Sequence, residues 1–328
     1  MNMQRLPQLR VLVTDYCDSK CIYCRPSGEG SLSCRHQNMS YKTAINAARL
    51  YHSYGGREIK ISGGDPVFWP HLCDYVYALK HDMKYQHVEL ITRSTRIAKI
   101  VNQLADNNLD VLNFSLDSNS PEQYRNITGK NDFDAYSQTI IQSATRLYCK
   151  INMVILSSTT LDDIESMIHF CTVNGIHELK LLDYIDDLKD NSSLGGENQA
   201  ELFQSIYEKL TRISIEKRTI FQGGLGHPMS EFIISDRFRV ICKDASLGAW
   251  YSPCCPQCQH YPCHDAIMAL RVTPADSFQL CLLNSEMHWK FGENDIEDQL
   301  QSILPMYQNA VFVGSDTDEN NCFNSPEN

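Results

Sequence analysis

The sequence predicts an α/β fold: a partial (β/α)6 barrel, an open relative of the closed TIM-like barrel, followed by a small C-terminal cysteine-rich domain. Three observations predict it. Apolar, strand-like runs alternate with segments of helical spacing through the first two-thirds of the chain, the pattern of a parallel sheet with helices outside. The series stops at six units, short of the eight that close a barrel. The residues able to do chemistry gather at the expected C-terminal ends of strands, where parallel sheets collect their ligands.

Residues 9–14 form the first strand, and Val11-Leu12-Val13 leads straight into cysteines at 17, 21 and 24. Residues 41–54 have helical spacing and stop at Gly55-Gly56. The β-rich run 58–62 enters Gly63-Gly64-Asp65-Pro66. Helix 70–80 precedes strand 87–92, and helix 96–107 precedes strand 111–116, which ends in Ser115-Leu116-Asp117. Helix 133–148, strand 150–156, helix 161–174 and strand 178–184, ending at Asp183-Tyr184, complete the series. A polar loop at 190–198 and a helix at 200–212 follow. From about 215 the texture changes to turns, short strands and cysteines. These shifts divide the chain into a barrel (1–214), a cysteine-rich unit (215–313) and a polar tail (314–328).

Composition narrows the function. Hydrophobic residues make up 42% and charged residues 21% of the chain, enough for an ordinary core. A net charge of -11 argues against a broad basic surface for nucleic acid, but leaves room for a small anionic substrate held by local cations. No apolar run approaches the roughly 18 residues of a membrane span, and the N-terminus lacks the apolar core of a signal peptide. A cytoplasmic protein is expected. Of fourteen cysteines, three lie at 17–24 and five at 254–281. In a reducing compartment such clustering points to metal rather than disulfides. Cys34, Cys73, Cys149, Cys171, Cys242 and Cys322 are scattered and read mostly as small buried hydrophobes.

Cys17, Cys21 and Cys24 form a C-x3-C-x2-C triplet. Three thiolates leave one iron of a [4Fe–4S] cluster open, whereas structural clusters close with four. Zinc sites, the alternative, usually pair their ligands with a distant second pair. With Tyr23 just before the third cysteine, the triplet resembles the signature of the radical S-adenosylmethionine (SAM) superfamily. The resemblance implies a cluster on Cys17, Cys21 and Cys24 whose open iron chelates the amino and carboxylate groups of SAM. It also implies reductive cleavage of SAM to a 5'-deoxyadenosyl radical that abstracts hydrogen from a substrate. Cofactors carry that chemistry, and the protein positions them and excludes water.

Further segments, from about residue 8 to 284, resemble the GTP 3',8-cyclase group within that superfamily. Residues 9–17 look like its opening strand, Gly63-Gly64-Asp65-Pro66 like the glycine pair and acid that receive the SAM amino group, and 111–117 like its fourth strand. Lys150-Ile151-Asn152 resembles its fifth strand, and Leu270-Arg271 through Cys281 the hairpin beside a second cluster. The resemblance implies a substrate-side set of Arg10, Lys150 and Arg271. It implies a SAM-side set of Tyr23, Gly63, Gly64, Asp65, Ser115, Asp117, Asn152 and Tyr184. Lys150 and Asn152 flank Ile151 and should share one face of the sheet.

The departures set a further expectation. Asp65 stands for the usual glutamate, Tyr16 for an arginine, Glu58 for a substrate-binding lysine, and Ala269-Leu270-Arg271 for an Arg-x-Arg pair. Triphosphate recognition needs converging cations. Arg10, Lys60, Lys150 and Arg271 are the available ones, so a substrate less negatively charged than GTP is expected.

Cys255, Cys258 and Cys281 resemble the three ligands of the group's auxiliary [4Fe–4S] cluster, and the extra residues before Arg271 bring Cys263 and His264. Three ligands would leave an iron for substrate, and a fourth from Cys263 would close the cluster. Zinc is the alternative occupant. The function expected is therefore a radical SAM enzyme acting on a small molecule of nucleoside or nucleotide type, with a flavodoxin- or ferredoxin-like electron donor by resemblance. A peptide-modifying radical SAM enzyme ranks lower, because no separate peptide-binding domain is expected ahead of residue 17. A non-catalytic metal-binding protein ranks lowest.

Overall fold

The six expected strands lie side by side in chain order, parallel throughout. They are β1 (Gln8–Leu12), β2 (Glu58–Ser62), β3 (His87–Thr92), β4 (Val111–Ser115), β5 (Cys149–Ile155) and β6 (Glu178–Asp183). They belong to a computed structural model that describes residues 6–24, 37–185, 194, 199–243, 247–263, 266–291 and 296–314. Cys34, Cys322, His264, the tail from 315 and all of the 190–198 loop except Leu194 lie outside the described residues.

Helices cover the outer face of the sheet. The first, α1 (Tyr41–Ser53), starts at Ser40, whose hydroxyl accepts the Thr43 N–H at 3.0 Å. Its buried residues Ala44, Ile45, Ala48 and Tyr51 recur at helical spacing. Next, α2 (Leu72–Tyr77) runs into a π-helical turn at Ala78–Asp82. The helix expected over 96–107 is instead a 3-10 turn, Thr95–Lys99, followed by α3 (Val101–Asp106). A helix not anticipated from the sequence, α4 (Pro121–Thr128), begins with a Ser120 cap and proline in its first turn. The strand-flanking helices α5 (Phe133–Ala144) and α6 (Leu161–Val173) follow, the latter opened by a Thr160–Asp163 capping box. Then comes α7 (Gln199–Ile213).

Beyond 215, strands join both edges of the same sheet. An antiparallel meander of β7 (Glu216–Gln222), β8 (His227–Ser235) and β9 (Phe238–Lys243) docks β9 parallel to β6. At the other edge, β11 (Ala269–Thr273) lies parallel to β1 and carries β12 (Ser277–Gln279) and β13 (His288–Lys290). A separate two-stranded ribbon pairs β10 (Ala249–Tyr251) with β14 (Val311–Val313), which follows α8 (Ile296–Gln308). The tip of the β7–β8 hairpin reaches back to the start of β1. A Cβ on Gly224 would come within 1.4 Å of the Leu6 carbonyl oxygen, so only glycine fits there. The result is a curled, open α/β half-barrel, as the sequence predicted.

Alternation along the central strands sorts the residues by chemistry. Leu9, Val11, Ile59, Ile61, Val88, Leu90, Leu112, Phe114, Ile151, Met153, Leu179 and Leu181 are fully buried in the apolar core. The positions between them are Arg10, Lys60, Glu89, Asn113, Lys150, Asn152 and Lys180. One face of the sheet is therefore core and the other is charged. Among the described residues, no helix is long and apolar enough to cross a membrane.

Candidate active site

The charged face encloses a cavity of about 270 Å³. Arg10, Lys60, Lys150, Lys180, Lys243 and Arg271 all line it, as do Tyr23, Ser115, Asp117, Asn152 and Tyr184. Sheet register brings them together. Arg271 on β11 is the direct partner of Arg10 on β1, and Arg10 of Lys60 on β2. Asn113 pairs with Lys150, Ser115 with Asn152, and Asn152 with Lys180. Lysines 180 and 243 were missed in the sequence. Lys180 lies inside the sheet on β6, and Lys243 ends β9, which reaches the site only because β9 pairs with β6.

One buried carboxylate organises part of this cluster. Glu89 meets Lys60 at 3.0 Å and Lys150 at 2.7 Å, and accepts from Asn113 Nδ2 at 2.7 Å. Burial works against its charge, but the two ammonium groups hold its carboxyl well below the usual range. Lys60 is pushed the other way, to about 8, by burial, with Glu89 opposing and Lys150 and Arg10 adding to the fall. Burial, then Lys60 and Lys150, also depress Lys180, whose Nζ donates to Gln222 Oε1 at 2.6 Å. Carboxylate is thus outnumbered by cation in the cavity. The amide oxygens of Asn113 and Asn152 are buried with no hydrogen-bond partner. Buried acceptors are normally paired, so these two fit a bound ligand that brings donors.

The cysteine loop lies between the end of β1 and the glycine pair. Gly64 N–H donates to the Thr14 carbonyl at 2.7 Å and Asp65 N–H to the Tyr16 carbonyl at 2.8 Å. A Cβ on Gly63 would lie 2.3 Å from the Thr14 oxygen, and one on Gly64 2.2 Å from the Tyr16 oxygen. The glycines therefore permit close backbone approach to the loop that carries Cys17. Lys20 and Ile22 N–H groups donate to the carbonyls of Thr128 and Ile127 at the end of α4, each at 2.9 Å. Asp65 is 1% exposed and does not line the cavity. Its oxygens accept from Thr92 Oγ1 at 2.7 Å, Arg93 N at 2.8 Å and Val67 N at 3.1 Å. Burial raises its carboxyl to about 6.

Arg93 is the other residue not anticipated. Buried at the end of β3, it donates to Asp117 Oδ2 at 2.6 Å and to the Tyr23 hydroxyl, which itself donates to Asp117 Oδ2 at 2.8 Å. Burial opposes its charge, yet Tyr23 and Asp117 hold the guanidinium firmly protonated. The other Asp117 oxygen accepts the Val154 N–H at 3.0 Å. Tyr23 is thus locked to β4 and β5 through its hydroxyl while it lines the cavity.

A second set of thiols, Cys254, Cys255, Cys258, Cys263 and Cys281, lines a separate small pocket. Burial pushes the Cys255 thiol up to about 12. Every described cysteine is free of disulfides. The donor sets at both places suit iron–sulfur clusters, since cysteine thiolates are their usual ligands.

The fold and its site define a class. It is an open half-barrel enzyme with a three-cysteine loop at the strand ends and a polar cavity beside it. Residues 11–171 match the family model for the radical SAM superfamily, and the chain carries a radical SAM domain. That family implies a [4Fe–4S] cluster and SAM as cofactors. The chain is 22% identical over 300 residues to the GTP 3',8-cyclase of Clostridium perfringens (strain 13 / Type A), covering 91% of this chain and 85% of that protein. It is 30% identical over 190 residues to the probable GTP 3',8-cyclase of Methanothermobacter marburgensis, covering 57% and 59%. Native anSMEcpe with bound AdoMet shares the fold with a TM-score of 0.62 at 15% identity, over 92% of this chain and 81% of that one. Streptococcus suis SuiB bound to S-adenosylmethionine gives 0.62 at 14% identity, over 89% of this chain and 65% of SuiB. These structural likenesses show a common fold.

Proposed function

We propose that this radical SAM enzyme acts on a phosphate-bearing nucleotide held in the half-barrel, abstracting hydrogen from it to start bond formation or rearrangement. The observation that carries the reading is the convergence of Arg10, Lys60, Lys150, Lys180, Lys243 and Arg271 on one cavity. Four cations were expected from the sequence, and Lys180 and Lys243 join them at the cavity, while Glu89 pairs with Lys60 and Lys150 and burial depresses Lys180. Phosphate recognition draws on such clusters. The GTP 3',8-cyclases named above support the same substrate class.

When bound, the cluster and SAM supply the 5'-deoxyadenosyl radical. Cys17, Cys21 and Cys24 would hold the first cluster. Gly63 and Gly64 fix the loop that presents those thiols. Tyr23, Ser115, Asp117, Asn152 and Tyr184 form the SAM side of the cavity, and Asn152 offers its unpartnered oxygen. The cations orient the substrate phosphates and leave the sugar and base toward the SAM side. In this reading residues 215–313 serve as an auxiliary-cluster unit around Cys255, Cys258 and Cys281. A flavodoxin- or ferredoxin-like protein would deliver the electron. A peptide substrate would leave the six cations without a purpose, so the nucleotide reading is preferred.

The test is anaerobic equilibrium binding of guanosine, GMP and GTP, with 5'-deoxyadenosine formation followed in parallel. Affinity should rise with phosphate number, and the bound nucleotide should stimulate SAM cleavage. Equal binding of guanosine and GTP, or none of either, would sink the reading.

A further inference from the structure

The cysteine pocket and the cation-lined cavity share no lining residue, yet they stand back to back. Ile267 and Leu283 face the cysteine pocket, while their chain neighbours Met268 and Leu282 face the cavity. Apart from the cysteines, the pocket wall is largely apolar, with Ala266, Ile267, Leu283 and Met287 prominent.

We propose that this pocket holds a [4Fe–4S] cluster closed by four thiolates, those of Cys255, Cys258, Cys263 and Cys281, with no iron left for the substrate. The proposal rests on the auxiliary-cluster reading above and deepens it. Two observations converge on it. First, Cys263 is prepared as Cys281 is. The Cys263 sulfur accepts the Ala266 N–H at 3.3 Å, and the Cys281 sulfur accepts the N–H groups of Leu283 and Asn284, each at 3.3 Å. Backbone donors aimed at sulfur stabilise thiolates and tune clusters. The segment bearing Cys263 is also fastened, because the Tyr251 hydroxyl donates to the Cys263 carbonyl at 2.8 Å and Tyr251 packs edge-on against Tyr261. Cys254 differs, being exposed with its sulfur 3.4 Å from Ser252 Oγ.

Second, an open iron here would face Ala266, Ile267, Leu283 and Met287, with His260, Tyr261 and Asn284 as polar neighbours, rather than the cations of the cavity, which line the other side of the Ile267–Met268 and Leu282–Leu283 steps.

The test uses the full chain with Cys17, Cys21 and Cys24 replaced by Ala, so that only the second cluster forms on anaerobic reconstitution. The parent should hold about four irons and give no [3Fe–4S] EPR signal on mild oxidation, since no iron lacks a thiolate. Adding Cys263→Ala should produce that signal with loss of one iron. Cys263→Ser, which keeps the side-chain size, should do the same and guards against a fold defect. Cys254→Ala should match the parent. A parent that already yields the signal, unchanged by Cys263→Ala, would overturn the four-thiolate site. So would a signal produced by Cys254→Ala and not by Cys263→Ala. Bound zinc without iron would refute the auxiliary-cluster reading itself, a distinguishable failure.

Discussion

The loop carrying Cys17, Cys21 and Cys24 and the pocket ringed by Cys255, Cys258, Cys263 and Cys281 offer similar sulfur in unlike surroundings. The first is pinned to the half-barrel by backbone hydrogen bonds to Gly64, Asp65 and the end of α4, and by the Tyr23–Arg93–Asp117 cluster. Its third cysteine is exposed, and the charges of Arg93 and Asp117 act on Cys21. The second sits among Ala266, Ile267, Leu283 and Met287, against the small apolar cluster of Ala249 and Tyr251. A ligand-binding iron needs polar groups to orient what it binds, and the first site has them. The second offers enclosure instead. In the proposal made above, the number of thiolates and their surroundings act together to separate a chelating site from a closed one.

The harshest way to break this comparison is at the first loop. Replacing Cys17, Cys21 or Cys24 with Ala is expected to abolish reductive SAM cleavage while leaving the second site's iron in place. Product 5'-deoxyadenosine reports the first effect and iron content the second. Cleavage retained in all three variants would end the assignment. Arg93→Met is the next test. It leaves the Asp117 carboxylate buried without its cation, and breaking a buried pair costs about 3–5 kcal/mol. Denaturant unfolding should register that loss. SAM affinity should fall as well, because Tyr23 loses one of its two anchors. An unchanged unfolding midpoint would show that the pair does not hold the loop.

The sequence disclosed the repeating half of this molecule far better than its closures. Alternation placed β1 to β6, and the polar positions within them, because each strand's inward and outward faces follow from local periodicity. Lys150 and Asn152 were readable for that reason, Ser115 and Asp117 from their place at a strand end, and Arg10 from the resemblance. That Arg271 lies beside Arg10 follows from the β1–β11 pairing, a contact between residues far apart in the chain. Lys180 was hidden in an ordinary strand, and Lys243 became visible only when β9 docked on β6. Arg93 follows a strand without any motif, and its partners Tyr23 and Asp117 come from distant segments. The α4 helix did carry a signal, Ser120-Pro121-Glu122, in keeping with its cap and first turn. The close approach of the glycine pair to the backbone of Thr14 and Tyr16 could not be read from spacing, because it joins segments some fifty residues apart.

The cation cluster permits smaller and more graded tests. Lys150→Ala should weaken nucleotide binding by roughly 10- to 100-fold, the worth of a charge-assisted hydrogen bond at about 1.5–3 kcal/mol, and leave nucleotide-independent SAM cleavage intact. An equal loss of guanosine binding would show that Lys150 shapes the cavity rather than reading phosphate.

The pH dependence of binding sharpens the point. Burial pushes Lys60 down to about 8, against the pull of Glu89 and with help from Lys150 and Arg10. In the ligand-free cavity Lys60 therefore surrenders its proton near that pH. A bound phosphate favours the ammonium, so binding raises the pKa of Lys60 and takes up a proton. GTP affinity should then be fully developed below about pH 8 and fall as pH rises beyond it, by at most about tenfold per unit for one proton. Lys180, depressed in the same direction, adds to the trend rather than opposing it. Calorimetry in two buffers of different ionisation enthalpy measures the proton uptake directly. Lys60→Gln should remove the step near pH 8, and guanosine should not show it. A flat GTP affinity between pH 7 and 9 would mean that the phosphates sit away from Lys60.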